Sequence, residues 1–177
     1  MRIGASGIKR LILVCGPNGV GKTTACKSLL EALPRSAYID SDWCRAMNPF
    51  SFDEETIQII KANIVALMTN YLRSSFIENV IFQYGFHGPR REIFDDIIEA
   101  LDNNRISYQF CPVILRCDLQ ENIERMKRDG RDDERIRRAI ENTRHIYDAY
   151  DYPSIDTTGL SVPQTVDRIL GIVSACG

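Results

Sequence analysis

Residues 10–23 read Arg-Leu-Ile-Leu-Val-Cys-Gly-Pro-Asn-Gly-Val-Gly-Lys-Thr, an apolar run that ends abruptly in glycines. The run, Arg10 to Cys15, is short, β-rich and without polar alternation, the pattern of a central parallel strand buried on both faces. The next eight residues, Gly16-Pro17-Asn18-Gly19-Val20-Gly21-Lys22-Thr23, fit GxxxxGK[ST]. With Gly at about 7% of ordinary sequences, a chance match in such a chain has odds below roughly one in a hundred. The context agrees, with a strand before the motif and a helical period after it. Glycines let backbone N–H groups curl around phosphate oxygens, and the helix that follows adds its positive dipole end. The loop from Gly16 to Thr23, with Thr24 beyond it, is therefore the candidate contact for ATP. Lys22 would neutralise the β/γ-phosphates, and Thr23 would ligate Mg²⁺. The plain alternative is a glycine-rich turn with no ligand. Lys22 is expected to be an exposed charge until a nucleotide arrives.

Short apolar runs and longer helical segments alternate outward from this stretch. Tyr38–Ile39, Asn79 to Phe82, Phe110 to Leu115 and Ser154–Ile155 read as four more strands. Between them, Thr23 to Leu33 is helical and closed by Pro34. Asp53 to Leu72 sets Ile57, Ile60, Ile64, Leu67, Met68 and Tyr71 on one face. Pro89 suits a first helical turn, followed by Ile93, Phe94, Ile97, Ile98 and Leu101. Asp118 with Glu121 resembles a helix start, Ile136 to Tyr147 carries a helical period, and Pro163 to Val173 closes the chain. Alternation of this kind predicts an α/β fold, a five-stranded parallel sheet with helices on both faces. Ligands bind such sheets at the carboxyl ends of the strands.

The 177 residues fit one domain spanning 1–177. The chain is 44% hydrophobic and 26% charged, with 22 Lys+Arg against 24 Asp+Glu. That balance excludes disorder and gives no overall electrostatic reason to bind nucleic acid or an anionic membrane. The apolar runs are too short to span a bilayer or to form a signal-peptide core. The six cysteines form no CxxC pair, so they read as reduced thiols of a cytoplasmic protein.

The third strand ends in Gln83, where large P-loop ATPases carry a metal-side carboxylate. Carboxylates follow the second strand instead, as Asp40-Ser41-Asp42, with Arg45 close behind. Residues 40 and 42 of an extended strand end point to the same side. One carboxylate could hold a water on Mg²⁺ while the other takes a proton from an acceptor hydroxyl. A solvated turn with Asp42 capping the next segment is the competing reading.

The phosphate loop, Asp40-Ser41-Asp42, Asp42-x-x-Arg45 and an Arg-rich segment, in that order, resemble the small P-loop kinases. These are the nucleoside-monophosphate kinases and their shikimate, gluconate, adenylylsulfate and chloramphenicol kinase relatives. The resemblance covers nearly the whole chain. It implies a three-layer fold with an Arg-rich helical lid at about 125–144 and an acceptor-binding helix region at about 43–73. It also implies Asp40 near the metal, Asp42 near the acceptor, and Arg45 on an acceptor anion or the transferred phosphoryl.

The segment Arg125-Met-Lys-Arg128-Asp-Gly-Arg131-Asp132-Asp133 is similar to the lid of nucleoside-monophosphate kinases. Arg125 would then contact the nucleotide, and Arg128 and Arg131 the transferring group, because mobile cations suit phosphoryl transfer. The register departs from the family pattern, and Arg137, Arg138 and Arg144 compete for one further role. Residues 116–144 hold nine basic and eight acidic residues, which also describes a salt-laced solvated helix pair.

After the third strand, Gln83 and Arg90 are candidate acceptor contacts, whereas His87 reads as a loop or packed histidine. Trp43 and Phe50 would wall an acceptor pocket or pack at its rim. Asp156 to Gly159 occupies the position where such kinases wrap the adenine with backbone. Two functions follow. One is Mg·ATP-dependent phosphoryl transfer to a small-molecule acceptor (nucleotide, metabolite or antibiotic) by a monomer or homodimer. The other is a nucleotide-dependent binding or resistance protein without turnover.

Overall fold

The computed structural model describes residues 8–176; residues 1–7 and 177 of the expected domain lie outside the described residues. Five parallel strands form one sheet in the order β2-β3-β1-β4-β5. They are β1 (Arg10–Cys15), β2 (Ser36–Asp40), β3 (Asn79–Gln83), β4 (Gln109–Arg116) and β5 (Ser154–Asp156). The central strand β1 is hydrogen-bonded on both sides, with Ile12 opposite Ile81 on β3 and Cys111 on β4. That explains its unbroken apolar sequence, since neither face meets water.

Alternate β1 residues feed two cores. Leu11, Leu13 and Cys15 pack with Ile60, Ile64 and Met68 of α2 (Glu54–Arg73) and Ile93, Phe94 and Ile97 of α3 (Arg90–Asn103). Ile12 and Val14 face Ala25, Cys26 and Leu29 of α1 (Lys22–Ala32) and Val166 and Ile169 of α6 (Val162–Ala175). Each fully buried aliphatic side chain contributes roughly 1.5–3 kcal/mol. The layers are therefore helix, sheet, helix, as the alternating pattern required.

Two shorter helices, α4 (Leu119–Arg128) and α5 (Asp133–Thr143), stand beyond the end of β4. The helical period through Tyr147 is only partly kept. The α-helix stops at Thr143 and the chain tightens into a 3₁₀ turn over His145–Ala149. No helix among the described residues is long and apolar enough to cross a membrane.

The register matters for function. Gln83 lies opposite both Val14 and Asp40, so the ends of β1, β2 and β3 share one rim. The chain leaves β1 through Gly16 at φ 145°, where a Cβ would sit 2.3 Å from the carbonyl oxygen of Leu115 on β4. A backbone atom in the sheet cannot step aside. We expect Gly16→Ala to destabilise the protein by about 1–3 kcal/mol, read as a lower urea midpoint. An unchanged midpoint would show that the loop shifts without cost.

Candidate active site

The phosphate loop ends at Gly21, φ 95°, and α1 begins at Lys22 with no side-chain cap and no acidic residue in its first turn. By contrast, Asp53, Asp118, Asp132 and Ser161 each accept an amide hydrogen at the starts of α2, α4, α5 and α6. Such a cap stabilises a helix by about 1 kcal/mol. At α1 that stabilisation is forgone, and free N–H groups and the dipole's positive end remain open to an anion.

Lys22 departs from the expectation of an exposed charge. It is half-buried, and its Nζ donates to the carbonyls of Gly16 and Pro17, at 2.8 Å each. Burial pulls its pKa down to about 8. The cation is folded back on its own loop.

Lys22 and Thr23 share a cleft of about 160 Å³ with Asp42, Gln83, His87, Arg90 and Arg131. Asp42 begins the 3₁₀ turn Trp43–Arg45 but makes no capping hydrogen bond, so the capped-turn reading fails. Its Oδ1 instead accepts from Arg45 Nη2 at 2.7 Å and lies 3.6 Å from Arg90 Nη1. Burial opposes its ionisation, but Arg45 by charge and hydrogen bond, then Arg90 and Lys22, outweigh it and hold the carboxyl below the usual range. Arg45 rests beside the edge-to-face pair of Phe50 and Phe52, 5.7 and 5.9 Å from their ring centres. Trp43 stays 78% exposed on the outer side of β2 and does not line this cleft.

Asp40 is placed differently from the expectation of a metal-side carboxylate. Its Oδ2 lies 3.1 Å from the Tyr38 hydroxyl and its Oδ1 accepts from the Asp42 amide. It borders the outer groove with Trp43 and Cys44 rather than the cleft of Lys22 and Thr23. Gln83 is nearly buried, and its Oε1 accepts from Tyr38 at 2.5 Å. Arg90 is 5% exposed, lies over the Tyr84 ring at 4.6 Å and donates to the Ser41 hydroxyl at 2.7 Å. Its carboxylate neighbour, Asp42, stands 3.6 Å away, so this buried guanidinium has no close ion pair among the described residues.

The Arg-rich segment divides into fixed and free cations. Arg125 donates to Glu121, to the Val20 carbonyl, and to both the hydroxyl and the carbonyl of Thr157. It clamps the phosphate loop to the chain after β5 and borders a groove of about 300 Å³ with Val20, Ala25, Leu160 and Val162. Arg128, 69% exposed and 3.5 Å from Glu121, lies on that side, away from the transfer cleft. Arg131 lines the cleft and has no side-chain partner among the described residues. Arg144 is structural, donating to Asn122 and to the Cys117 carbonyl. Arg137 and Arg138 form exposed pairs with Glu141 and Glu134.

Sequence reasoning missed three supports. Asn122, fully buried, donates to the Asn18 carbonyl, while the Asn18 amide donates to Thr143, pinning the loop between α4 and α5. Ser41 anchors Arg90. His87 is half-buried in the cleft and kept neutral, its pKa lowered to about 4 by burial and by Arg90, Lys22 and Arg45. The contacts of Asn122, Asn18 and Ser41 cross 49 residues or more of chain, so no local pattern announces them.

A family described as AAA domain matches residues 12–146, more than half of the chain. The chain belongs to that family. Among curated proteins, a guanylate kinase of Trichormus variabilis is 32% identical over 83 residues, 47% of this chain and 41% of that enzyme. The matched stretch thus spans less than half of that relative's length. Solved structures with the same fold include the tunicamycin resistance protein of Deinococcus radiodurans (TM-score 0.63, 20% identity, 93% of this chain and 95% of that one). A gluconokinase of Sinorhizobium meliloti gives TM-score 0.63 at 16% identity, covering 95% and 93%. A shikimate kinase of Bacteroides thetaiotaomicron gives 0.58 at 18%, covering 95% and 99%. These likenesses establish the fold expected from the sequence, a P-loop sheet of kinase-like topology.

Proposed function

We propose that the protein transfers the γ-phosphoryl group of ATP to a small-molecule acceptor. The observation that carries this reading is the single cleft in which Lys22 and Thr23 on one wall face Asp42 and Arg90 on the other. A nucleotide-binding module with no second substrate has no use for a buried arginine and an ionised carboxylate at that distance from the phosphate loop. The relatives' names agree, since gluconokinase, shikimate kinase and guanylate kinase all phosphorylate a second molecule.

In this reading the base of the nucleotide rests in the groove of Val20, Ala25 and Leu160. The N–H groups of Arg125 are largely spent on protein partners, so its contribution there is a flat stacking face. The described residues hold no cluster of three or more His, Cys, Asp or Glu side chains. Mg²⁺ would therefore be held mainly by the nucleotide's own phosphates, with the Thr23 hydroxyl as the protein ligand and Asp40 no closer than a bound water. The ion would supply charge neutralisation on the phosphates. Asp42, with its lowered pKa, is a weak base, so its part is to orient the acceptor hydroxyl, which a loose transition state permits. Because α4 and α5 are tied to Asn18 and Val20, the mobile part of the lid narrows to Asp129–Asp132.

The test is ADP release across a panel of hydroxyl- and phosphate-bearing metabolites and antibiotics. One compound that stimulates release supports transfer; nucleotide binding with no stimulation by any compound favours the binding-protein reading. Once an acceptor is found, Arg131→Gln should lower kcat about 10²-fold, as loss of one transition-state donor does. Arg128→Gln, lying outside the cleft, should change it less than about threefold. Equal effects would remove the distinction drawn between the two arginines.

A further inference from the structure

A second groove, of about 610 Å³, opens from the transfer cleft along α5. Asn18, His87 and Arg131 line both, so the two spaces communicate through those three side chains. Beyond them the groove is walled by Arg135, Arg138 and Asn142, with no carboxylate among its lining residues. This imbalance is specific to one face of α5. Arg137, on the same helix, is absent from the groove and pairs with Glu141.

The three groove arginines are available. Arg131 has no side-chain partner among the described residues. Arg135 meets Asp132 only at 3.5 Å, Arg138 meets Glu134 at 3.3 Å, and both pairs are well exposed. Exposed pairs of this kind are worth about 0–1 kcal/mol, so an incoming anion displaces them at little cost. The amide side chains of Asn18 and Asn142 make no hydrogen bond to the protein among the described residues, leaving N–H donors beside the cations. The floor is rigid, because Thr143 accepts from the Asn18 amide and donates to the Ala139 carbonyl. Charged donors beside a rigid floor, paired at most weakly with exposed acids, recognise an oxyanion, and planar guanidinium forks match a phosphate best.

We infer that this groove holds an oxyanion carried by the second substrate, a phosphate monoester in preference to a carboxylate, while the substrate's hydroxyl end reaches Asp42 past His87. The inference rests on the kinase reading for the word substrate; the anion site itself does not. His87, uncharged, then acts as a hydrogen-bonding post between the two spaces and adds no competing charge. The acceptor is accordingly elongated, with its nucleophile and its anion at opposite ends.

The experiment separates the two claims. The full chain is saturated with Mg²⁺ and a non-hydrolysable ATP analogue, which occupies the phosphate loop, and titrated calorimetrically with inorganic phosphate or acetate at fixed ionic strength. Saturable phosphate binding is expected, weaker acetate binding, and at least a fivefold loss of phosphate affinity in the double variant Arg135→Gln/Arg138→Gln. Both side chains are exposed, and unchanged circular dichroism verifies the fold. Arg137→Gln removes the same charge from the other face and should not weaken binding. Absence of saturable phosphate binding, acetate binding as tight as phosphate, or an equal loss in Arg137→Gln would overturn the inference. In a second arm, ADP release is compared for ribose with ribose 5-phosphate, glucose with glucose 6-phosphate, and nucleosides with their monophosphates. The phosphorylated member of a pair is expected to be the better acceptor, with the double variant raising KM more than it lowers kcat. Preference for the neutral members would overturn the inference. Phosphate binding with no turnover of any compound would instead sink the kinase reading and leave the anion site standing.

Discussion

Replacing Asp42 by Asn should leave the affinity for Mg·ATP within about threefold while cutting acceptor turnover by roughly 10²-fold, the scale of loss when a group that positions the reacting atoms is removed. The amide keeps the size of the side chain, so packing is not the cause. What it loses is the charge that Arg45 approaches at 2.7 Å and Arg90 at 3.6 Å. Arg90 is nearly buried, and without a carboxylate opposite it the cleft presents Lys22, Arg90 and Arg131 to the acceptor with only Asp129 to balance them. The pH dependence follows from the sign of the shift. Asp42 has its pKa lowered in the folded protein, so its ionised form is present above the ordinary carboxylate pKa and is lost only as pH falls through the lower folded value. Turnover by the native protein should therefore show no acid limb from Asp42 between pH 5 and 7, and its contribution to stability should fade only at more acid pH. Measuring nucleotide affinity by calorimetry and kcat for both proteins checks the claim. Native-rate turnover by Asp42→Asn would reduce the Asp42–Arg45 pair to a surface contact.

The parts of this arrangement that were readable in the sequence are those fixed by local periodicity or by backbone demands. Arg10 to Cys15 announces a doubly buried strand because no position in it tolerates water. Gly16, Gly19 and Gly21 announce the loop because each adopts a positive φ, from 82° to 145°. Asp118 marks a helix start through its contact with the Glu121 amide three residues on, at 2.6 Å. The division of labour among the arginines was not readable. Arg125, Arg128 and Arg131 are three residues apart in steps, yet one is a clamp, one is solvated beside it, and one turns into the cleft. That outcome depends on the end of α4 at Arg128 and on the reach of Arg125 to Thr157, 32 residues away. Asp40 illustrates the same limit. Strand alternation correctly puts it on the same side as Tyr38, but only the register with Gln83 shows that Tyr38 engages it. Arg90 became informative through burial against Tyr84 and Ser41, neither of which signals an anion site alone.

Replacing Lys22 by Met should cut turnover about 10²–10³-fold and at the same time stabilise the protein without nucleotide. Lys22 is a half-buried cation whose acceptors among the described residues are the carbonyls of Gly16 and Pro17. Burial lowers its pKa from 10.5 to about 8, so the folded state binds this proton less tightly than the unfolded chain does. Wherever the unfolded chain holds more protons, stability rises with pH. The native protein should therefore gain stability as pH rises from about 8 towards 10.5, and below 8 it carries the full penalty of the buried charge. Methionine has similar length and no charge, so Lys22→Met should unfold at a higher temperature at pH 7 and lose that alkaline rise. Function moves in the opposite direction. The same cation, turned from its own loop onto the phosphates, acts where charge develops in transfer, and loss of one such group costs about 10²–10³-fold in rate. A phosphate beside Lys22 favours its charged form, so nucleotide binding draws in a proton above pH 8 and affinity falls as the solution becomes more alkaline. Thermal melts of both proteins between pH 7 and 10, paired with nucleotide titrations, read these opposing trends directly. A variant that melts lower than the native protein at pH 7, or an unchanged alkaline slope, would mean that the two carbonyls compensate the buried charge in full. The lysine's turn from its own loop onto phosphate would then gain nothing from relief of a buried charge.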